Sequence, residues 1–229
     1  QAIESEGASV TVIDGSYDDA VERAKSGAGP RSLVVSDTSW EGYTAIPALV
    51  AEGYETIFAE ADAQLAALHE PGPTHVFVQI GVGALAVAAV NHYRGLATVI
   101  GIEPDGADCV LQSAAAGRIV SVPGPHISIM AGLNCGTPSA IAWPIMRNGI
   151  TAFVSVDDER AIEAMRGLAG EGVVSGETGA SGLAGLLELM ADAAEAANLG
   201  LGPDARVLLL STEGATDPAF YERVTGRRP

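Results

Sequence analysis

The alternation of short apolar runs with longer helical segments constrains the fold of this 229-residue chain most strongly. Seven runs are rich in Val, Ile and Leu without a polar residue at every second position, which is typical of strands buried on both faces of a sheet. They are Ser9–Ile13, Ser32–Val35, Thr74–Ile80, Thr98–Ile102, Ala152–Ser155, Gly172–Val174 and Arg206–Leu210. Such strands, separated by helices, predict an α/β fold of three layers, in which helices cover both faces of a mostly parallel sheet.

Helical patterns occupy the stretches between these runs. The predicted helices are Asp18–Lys25, Ile46–Glu52, Ala59–His69, Ala84–Tyr93, Asp108–Ala116, Asp158–Leu168 and Gly182–Ala197. The segment Ser26–Pro30 reads Ser-Gly-Ala-Gly-Pro and is typical of a loop. It separates the first predicted strand and helix from the rest, as a loop or a crossing between two lobes would.

The charge balance excludes several classes of partner. The chain carries 12 Lys plus Arg against 29 Asp plus Glu, a formal net charge of -17. This charge repels phosphate backbones and anionic lipid surfaces, so we expect no nucleic-acid partner and no membrane partner. The longest apolar stretch, around Ile80–Val90, is shorter than the roughly 20 residues that a membrane helix needs. No targeting segment is recognised, and we expect a soluble cytoplasmic protein.

Cysteine and histidine spacing predicts neither a disulfide framework nor a metal site. Cys109 and Cys135 show no ligand spacing with the four histidines, and we interpret Cys135 as a small buried hydrophobe. His75 lies in an apolar strand and is interpreted as a satisfied core residue.

The strongest candidate for a binding site is the turn after the predicted strand Thr74–Ile80. It reads Gly81, Val82, Gly83, Ala84 and leads into an alanine-rich helix. Exposed backbone N–H groups at such a helix start can bind an anion such as a phosphate. The alternative is that the small residues only allow the helix to pack closely on the sheet. The turn is neither a G-x-G-x-x-G motif nor a P-loop.

Two further strand ends carry polar turns. In Ser175–Gly182, Glu177 is held within a glycine-rich turn, where it could serve a ligand or simply cap a helix. In Ser211–Asp217, the hydroxyls of Ser211 and Thr212 follow the last apolar strand and could bond a heteroaromatic nitrogen, or form an ordinary turn into a final helix. Because ligands bind at the carboxyl ends of parallel strands, these turns are expected at one edge of the sheet.

An aromatic and acidic loop, Ser36–Tyr43, is the remaining candidate. It contains Asp37, Glu41 and the aromatic residues Trp40 and Tyr43. Such a loop suits substrate recognition, with Asp37 or Glu41 as a proton-transfer group, although it could equally cap the helix that begins near Ile46.

Taken together and in this order, seven segments resemble the diaminopropionate ammonia-lyase family. The segments are Asp14–Val21, Asp37–Pro47, Pro73–Val76, Glu103–Cys109, Ile129–Gly136, Ser175–Gly179 and Ser211–Asp217. This family comprises pyridoxal-phosphate enzymes of fold type II, the tryptophan-synthase-β superfamily. The resemblance covers essentially the whole chain and corresponds to the C-terminal part of a family member. It implies the large cofactor-facing domain of that fold for residues 37–229, with residues 1–36 as a remnant of the small lobe and the crossing segment.

The resemblance also implies an activity and the residues that serve it. The activity is the elimination of ammonia from 2,3-diaminopropionate to give pyruvate and ammonia, with pyridoxal 5′-phosphate as the cofactor, in a homodimer. By resemblance, the backbone of Gly81–Ala84 holds the cofactor phosphate, and Thr212, with Ser211 as the alternate, faces the pyridine nitrogen. Glu177 lies beside the ring, and Asp37 is an acidic group near the substrate amine.

The residues at the centre of the family's chemistry are not found in this sequence. In the family, the Schiff-base lysine, the loop that holds the substrate carboxylate and a catalytic Asp lie upstream of the region that matches Gln1. The only lysine here is Lys25, at a predicted helix end without the apolar surroundings that depress an amine pKa. We therefore expect a fragment that is inactive alone. The alternatives are a related serine or threonine deaminase, a cofactor-binding domain without turnover, and an assembly module.

Overall fold

The computed structural model describes residues 2–229, so residue 1, where the predicted small-lobe remnant begins, lies outside the described residues. The chain divides into two compact units, Gln1–Val34 and Val35–Pro229. In the first unit, helix α1 spans Ala2–Ser5 and helix α2 spans Tyr17–Ser26. Helix α2 begins at a capping box, because the Ser16 hydroxyl accepts from the N–H of Asp19 while the Asp19 carboxylate accepts from the N–H of Ser16.

The second unit is built around one parallel sheet. Among residues 2–229, four strands pair in the order β3-β2-β1-β4, and each lies within or largely within a predicted run. The strands are β1 (His75–Gln79), β2 (Thr98–Pro104), β3 (Ala152–Val156) and β4 (Val207–Leu209). All three pairings are parallel, so the carboxyl ends of the strands meet at one edge, as the sequence predicts.

Three of the seven predicted strands are wrong. Ser9–Ile13, Ser32–Val35 and Gly172–Val174 form no strand in the part of the chain that the structure describes. Their apolar side chains are largely in solvent: Val12 is 89% exposed and Leu33 is 79% exposed. A run of β-branched residues favours a strand only where a neighbouring strand supplies hydrogen bonds and a packed face, and these segments have neither.

Helices on both faces of the sheet complete the three predicted layers. Residues of β1 alternate between two cores, with Val76 and Val78 in the first and Phe77 in the second. The first core contains helices α3 (Ala45–Ala67), α4 (Ala84–Tyr93), α5 (Cys109–Ala116) and α6 (Trp143–Gly149). The second contains α7 (Asp158–Gly170), α8 (Ser181–Ala191), α9 (Ala193–Asn198) and α10 (Pro218–Thr225). The predicted α/β fold with a parallel sheet between helices is confirmed.

Three predicted helices have different boundaries in the structure. The predicted helices Ile46–Glu52 and Ala59–His69 form one continuous helix, α3, because the residues between them contain no helix breaker except Gly53. Conversely, the predicted helix Gly182–Ala197 is divided at Asp192, whose side chain accepts from the N–H groups of Ala194 and Glu195 and so begins α9. None of the helices in the described part of the chain is both long and apolar enough to span a bilayer.

Glu103 is a buried carboxyl at the end of β2, only 1% exposed. Its oxygens accept from the N–H groups of Val110 and Leu111 at the start of α5, at 2.8 and 2.7 Å. Burial raises the pKa of Glu103 from its ordinary value of 4.5 to about 8, although these two donors act in the opposite direction. The side chain therefore joins the sheet to α5 and makes stability depend on pH.

We expect the free energy of unfolding to fall as pH rises from about 4.5 to about 8. The folded carboxyl keeps its proton to a higher pH than the unfolded one, so unfolding releases a proton in this window. The contribution is at most about 1.4 kcal/mol per pH unit. Urea unfolding across this range should show this slope for the wild type and lose it in Glu103→Gln. The same slope in both proteins would assign it to other groups.

Candidate active site

The glycine turn between β1 and α4 presents unpaired backbone donors. Gly83 precedes Ala84, the first residue of the ten-residue helix α4. The N–H groups of Gly81, Val82, Gly83 and Ala84 donate to no acceptor among residues 2–229, and Val82 and Ala84 are only 3% and 6% exposed. Buried N–H groups are nearly always hydrogen-bonded, and those at a helix start carry a partial positive charge. This combination is suited to an anionic group with several oxygens.

Close packing around the turn explains why both glycines are needed. At Gly81, a Cβ atom would lie 3.1 Å from the carbonyl oxygen of Gly132 and 3.2 Å from Sγ of Cys135. At Gly83, φ is +110°, and a Cβ atom would lie 2.7 Å from the Met146 side chain. The close packing that the sequence suggests is therefore confirmed, and the unpaired N–H groups leave anion binding at this turn as a prediction.

The turn Ser175–Gly179 and the segment after β4 are joined by hydrogen bonds. The Ser211 hydroxyl donates to Oγ of Ser175 at 2.8 Å. The N–H of Gly176 donates to the Glu213 carbonyl at 3.1 Å, and the N–H of Thr178 donates to the Glu213 carboxylate at 2.7 Å. Glu213 therefore holds the turn Ser175–Gly179 against the segment that follows β4.

A second set of contacts connects these turns to the glycine turn. The N–H of Gly132 donates to Oγ1 of Thr178 at 3.2 Å, and Gly132 also lies against Gly81. On the other side, the amide of Gln79, two residues before Gly81, donates to Oγ1 of Thr212 at 2.8 Å. The structure thus brings the predicted cofactor residues together at one edge of the sheet. Only Gly81–Ala84 and Ser211–Thr212 follow a strand there, because the strand predicted before Glu177 is not formed.

Glu177 lies half-buried within the turn Ser175–Gly179. Desolvation by burial raises the pKa of its carboxyl, and the negative charges of Glu213 and Asp217 raise it further. A hydrogen bond from its own backbone N–H opposes the shift. A carboxyl whose pKa is shifted by burial and by neighbouring charges is a candidate for a functional site.

The aromatic and acidic loop is anchored to the glycine turn through Ser139, which is 1% exposed. The N–H of Ser139 donates to the Val82 carbonyl at 2.9 Å, and its hydroxyl accepts from the N–H of Ser39 at 3.0 Å. The rings of Trp40 and Tyr43 stack with centroids 4.1 Å apart, which stiffens the same loop.

Asp37 opens into a cavity of about 620 Å³ that also reaches the first residue of α4. The cavity is lined by Ala84 and Val87 of α4, by residues of α3 and by Ser139. Asp37 itself is half-buried. The cavity therefore connects Asp37 with Ala84, the last residue of the glycine turn, in one space that is large enough for a small ligand.

The remaining predicted residues lie elsewhere or have structural roles. The ring of His75 bonds the Leu199 carbonyl and the Thr74 hydroxyl, both at 2.8 Å, so its interpretation as a satisfied core residue is confirmed. Cys135 is buried, as interpreted, and forms no disulfide among residues 2–229. Lys25 lies on α2 and forms an ion pair with Glu22 at 3.2 Å.

Sequence reasoning missed three polar residues that connect the site: Gln79, Ser139 and Glu213. Only Gln79 gave a usable indication, because it is a polar residue within an otherwise apolar strand. Ser139 lies outside every segment that was singled out, and Glu213 was noted only as part of its turn.

Comparison with known proteins gives a family match. A family model described as pyridoxal-phosphate dependent enzyme matches residues 1–213. The match includes the glycine turn Gly81–Ala84, the turn Ser175–Gly179 and the residues after β4 as far as Glu213.

Several relatives carry one specific name. Diaminopropionate ammonia-lyase of Salmonella typhimurium is 40% identical over 239 residues, covering 97% of this chain and 59% of that protein. The enzyme of Escherichia coli K12 is 40% identical over 240 residues, with the same two shares. The crystal structure of the Escherichia coli enzyme in complex with an aminoacrylate-PLP azomethine reaction intermediate matches with a TM-score of 0.86 and 38% identity, covering 98% of this chain and 60% of that chain. The chain thus spans about three fifths of the length of these relatives.

Proposed function

The chain belongs to the family of pyridoxal-phosphate dependent enzymes, and from this premise we propose that it forms the cofactor-facing part of a diaminopropionate ammonia-lyase. The observation that carries the proposal is the row of unpaired, buried N–H groups at Gly81–Ala84, placed on the same sheet edge as Thr212 and Glu177. The 40% identity to diaminopropionate ammonia-lyases supports the substrate.

The residues present fit the cofactor in the following way. The N–H groups of Gly81–Ala84 bind its phosphate, Thr212 or Ser211 bonds its ring nitrogen, and Glu177 lies beside the ring. When bound, pyridoxal phosphate supplies an electron sink for the charge left by removal of an α-proton. The protein orients this group and sets the charge around it.

Asp37 is the proposed acidic group near the substrate amine. Its carboxylate lines the cavity that begins at Ala84, so it can bind an ammonium group or hold a proton next to the bound cofactor. The stacked pair Trp40–Tyr43 keeps the loop rigid, which reduces the entropy cost of placing Asp37.

The proposal extends to a cytoplasmic homodimer, as the resemblance to the family implies.

Turnover of diaminopropionate by the natural polypeptide that carries this sequence tests the proposal. With pyridoxal phosphate added, we expect one pyruvate and two ammonia for each diaminopropionate and water consumed. Serine and threonine, assayed in parallel, should react much more slowly. Faster release of pyruvate from serine, or of 2-oxobutyrate from threonine, would assign the protein to the deaminases. Cofactor binding without any of these reactions would leave a non-catalytic binding domain.

A further inference from the structure

Gln79 is a buried amide at the end of β1, 4% exposed, in a strand whose central residues are apolar. Its Nε2 atom donates to the Leu210 carbonyl at 3.0 Å and to Oγ1 of Thr212 at 2.8 Å. Its Oε1 atom is buried and has no hydrogen-bond partner among the described residues. A side chain with only a packing role would be apolar here, so the two donated bonds and the unsatisfied oxygen point to another role.

The orientation of the Gln79 amide is fixed by its neighbours. The Leu210 carbonyl can only accept a hydrogen bond, so the atom that faces it has to be the nitrogen. Because Nε2 carries two N–H groups, one serves Leu210 and the other serves Thr212. The Thr212 hydroxyl is therefore an acceptor in this bond.

This bond leaves the proton of the Thr212 hydroxyl available. Oγ1 of Thr212 donates to no acceptor within residues 2–229. The neighbouring Ser211 is different, because its hydroxyl already donates to Oγ of Ser175 at 2.8 Å. A hydroxyl that accepts a hydrogen bond also becomes a stronger donor, since bonded groups polarise one another. Of the two candidates, only Thr212 is prepared to donate.

We propose that Gln79 is a positioning residue that sets the Thr212 hydroxyl as the hydrogen-bond donor to an unprotonated ring nitrogen of the cofactor. The inference rests on the proposed function, because it requires the cofactor ring at this sheet edge. Gln79 itself acts only through Thr212.

Two ligands that need no Schiff-base lysine distinguish a positioning role of Gln79 from a role in packing alone. Pyridoxamine 5′-phosphate contains the ring nitrogen, whereas its 1-deaza analogue has a C–H group in its place and keeps the phosphate. Affinities are measured by fluorescence titration of the natural polypeptide that carries this sequence. We expect the wild type to bind the nitrogen-containing ligand about tenfold more tightly, the effect of one well-placed hydrogen bond.

Two substitutions at Gln79 should remove this preference. Gln79→Met deletes both donors, and Gln79→Glu replaces the nitrogen that faces Thr212 by an oxygen that accepts from the hydroxyl. In both variants the affinity ratio should fall to about twofold or less, with the affinity for the deaza analogue unchanged. Gln112→Met, on the exposed face of α5, is the matched control and should keep the wild-type ratio.

The other possible results contradict either the positioning role of Gln79 or the proposed function. A tenfold ratio retained in both Gln79 variants, or an equal loss for both ligands, overturns the positioning role. If the wild type binds both ligands equally, the positioning role of Gln79 is also contradicted, but the proposed cofactor site is not. A wild type that binds neither ligand removes the proposed function and this inference with it.

A measurement on the wild type does not depend on the folding of the variants. The side-chain amide protons of Gln79 should shift in the NMR spectrum when pyridoxamine phosphate binds and shift much less with the deaza analogue. Equal shifts with both ligands would contradict the bond through Thr212.

Discussion

Replacing Gly83 with valine should weaken cofactor binding by about 100-fold or more. At φ +110° a β-branched residue is strongly disfavoured, and its Cβ would collide with Met146 and lie 3.1 Å from Cβ of Ala142. The turn has to move, and the N–H groups that we propose for phosphate binding move with it. The loss of two charge-assisted hydrogen bonds accounts for a change of this size. Titration with pyridoxamine phosphate measures it.

Gly95→Val is the control for backbone strain alone. Gly95 also has a positive φ, +74°, but no atom lies within 4 Å of the position that its Cβ would take. This variant should lose some stability in thermal unfolding and keep its affinity for the ligand. Wild-type affinity in Gly83→Val would remove the phosphate role from this turn.

Replacing Gly185 with valine should lower the free energy of unfolding by about 3 kcal/mol, the upper part of the range for an overpacked core. Gly185 allows α8 to lie directly on β2, and a Cβ atom there would be 2.1 Å from Cδ1 and 2.8 Å from Cγ1 of Ile102. Ile102 is fully buried and has no free space to enter. Urea unfolding of the variant and the wild type measures the change.

A second glycine on the same helix gives the opposite expectation. At Gly182 the nearest atom to a Cβ would be the Phe77 carbonyl oxygen, at an ordinary 3.5 Å. Gly182→Ala should therefore raise the free energy of unfolding by about 0.4 to 1 kcal/mol, because alanine restricts the unfolded chain without a clash. If both substitutions destabilise equally, close packing of α8 is not the cause.

The sequence pattern predicts the strands that have a partner in the sheet. The central strands β1 and β2 are buried on both faces, and the partly buried edge strands β3 and β4 each pair with one of them, so composition and structure agree in all four. The predicted strand Ser9–Ile13 has the same composition but no neighbour to pair with. Composition alone does not distinguish the two cases, because strand formation depends on hydrogen bonds to residues far away in the sequence.

In the candidate site, too, features formed by adjacent residues are predictable, whereas contacts between distant residues are not. The glycine turn can be predicted because its residues are adjacent in the chain and their type follows from local geometry. The bond from Gln79 to Thr212 joins residues 133 positions apart, and the bond from Ser39 to Ser139 joins residues 100 positions apart. No local pattern predicts such pairs, so the connecting residues were found only in the folded chain.

Ser139 also has a mechanical consequence. Its backbone N–H bonds the glycine turn at Val82, while its hydroxyl bonds the loop that carries Asp37. Both bonds come from one buried residue, so a displacement of the glycine turn is transmitted to the loop without a flexible segment between them. A ligand that shifts the backbone at Val82 should therefore also shift the loop that carries Asp37.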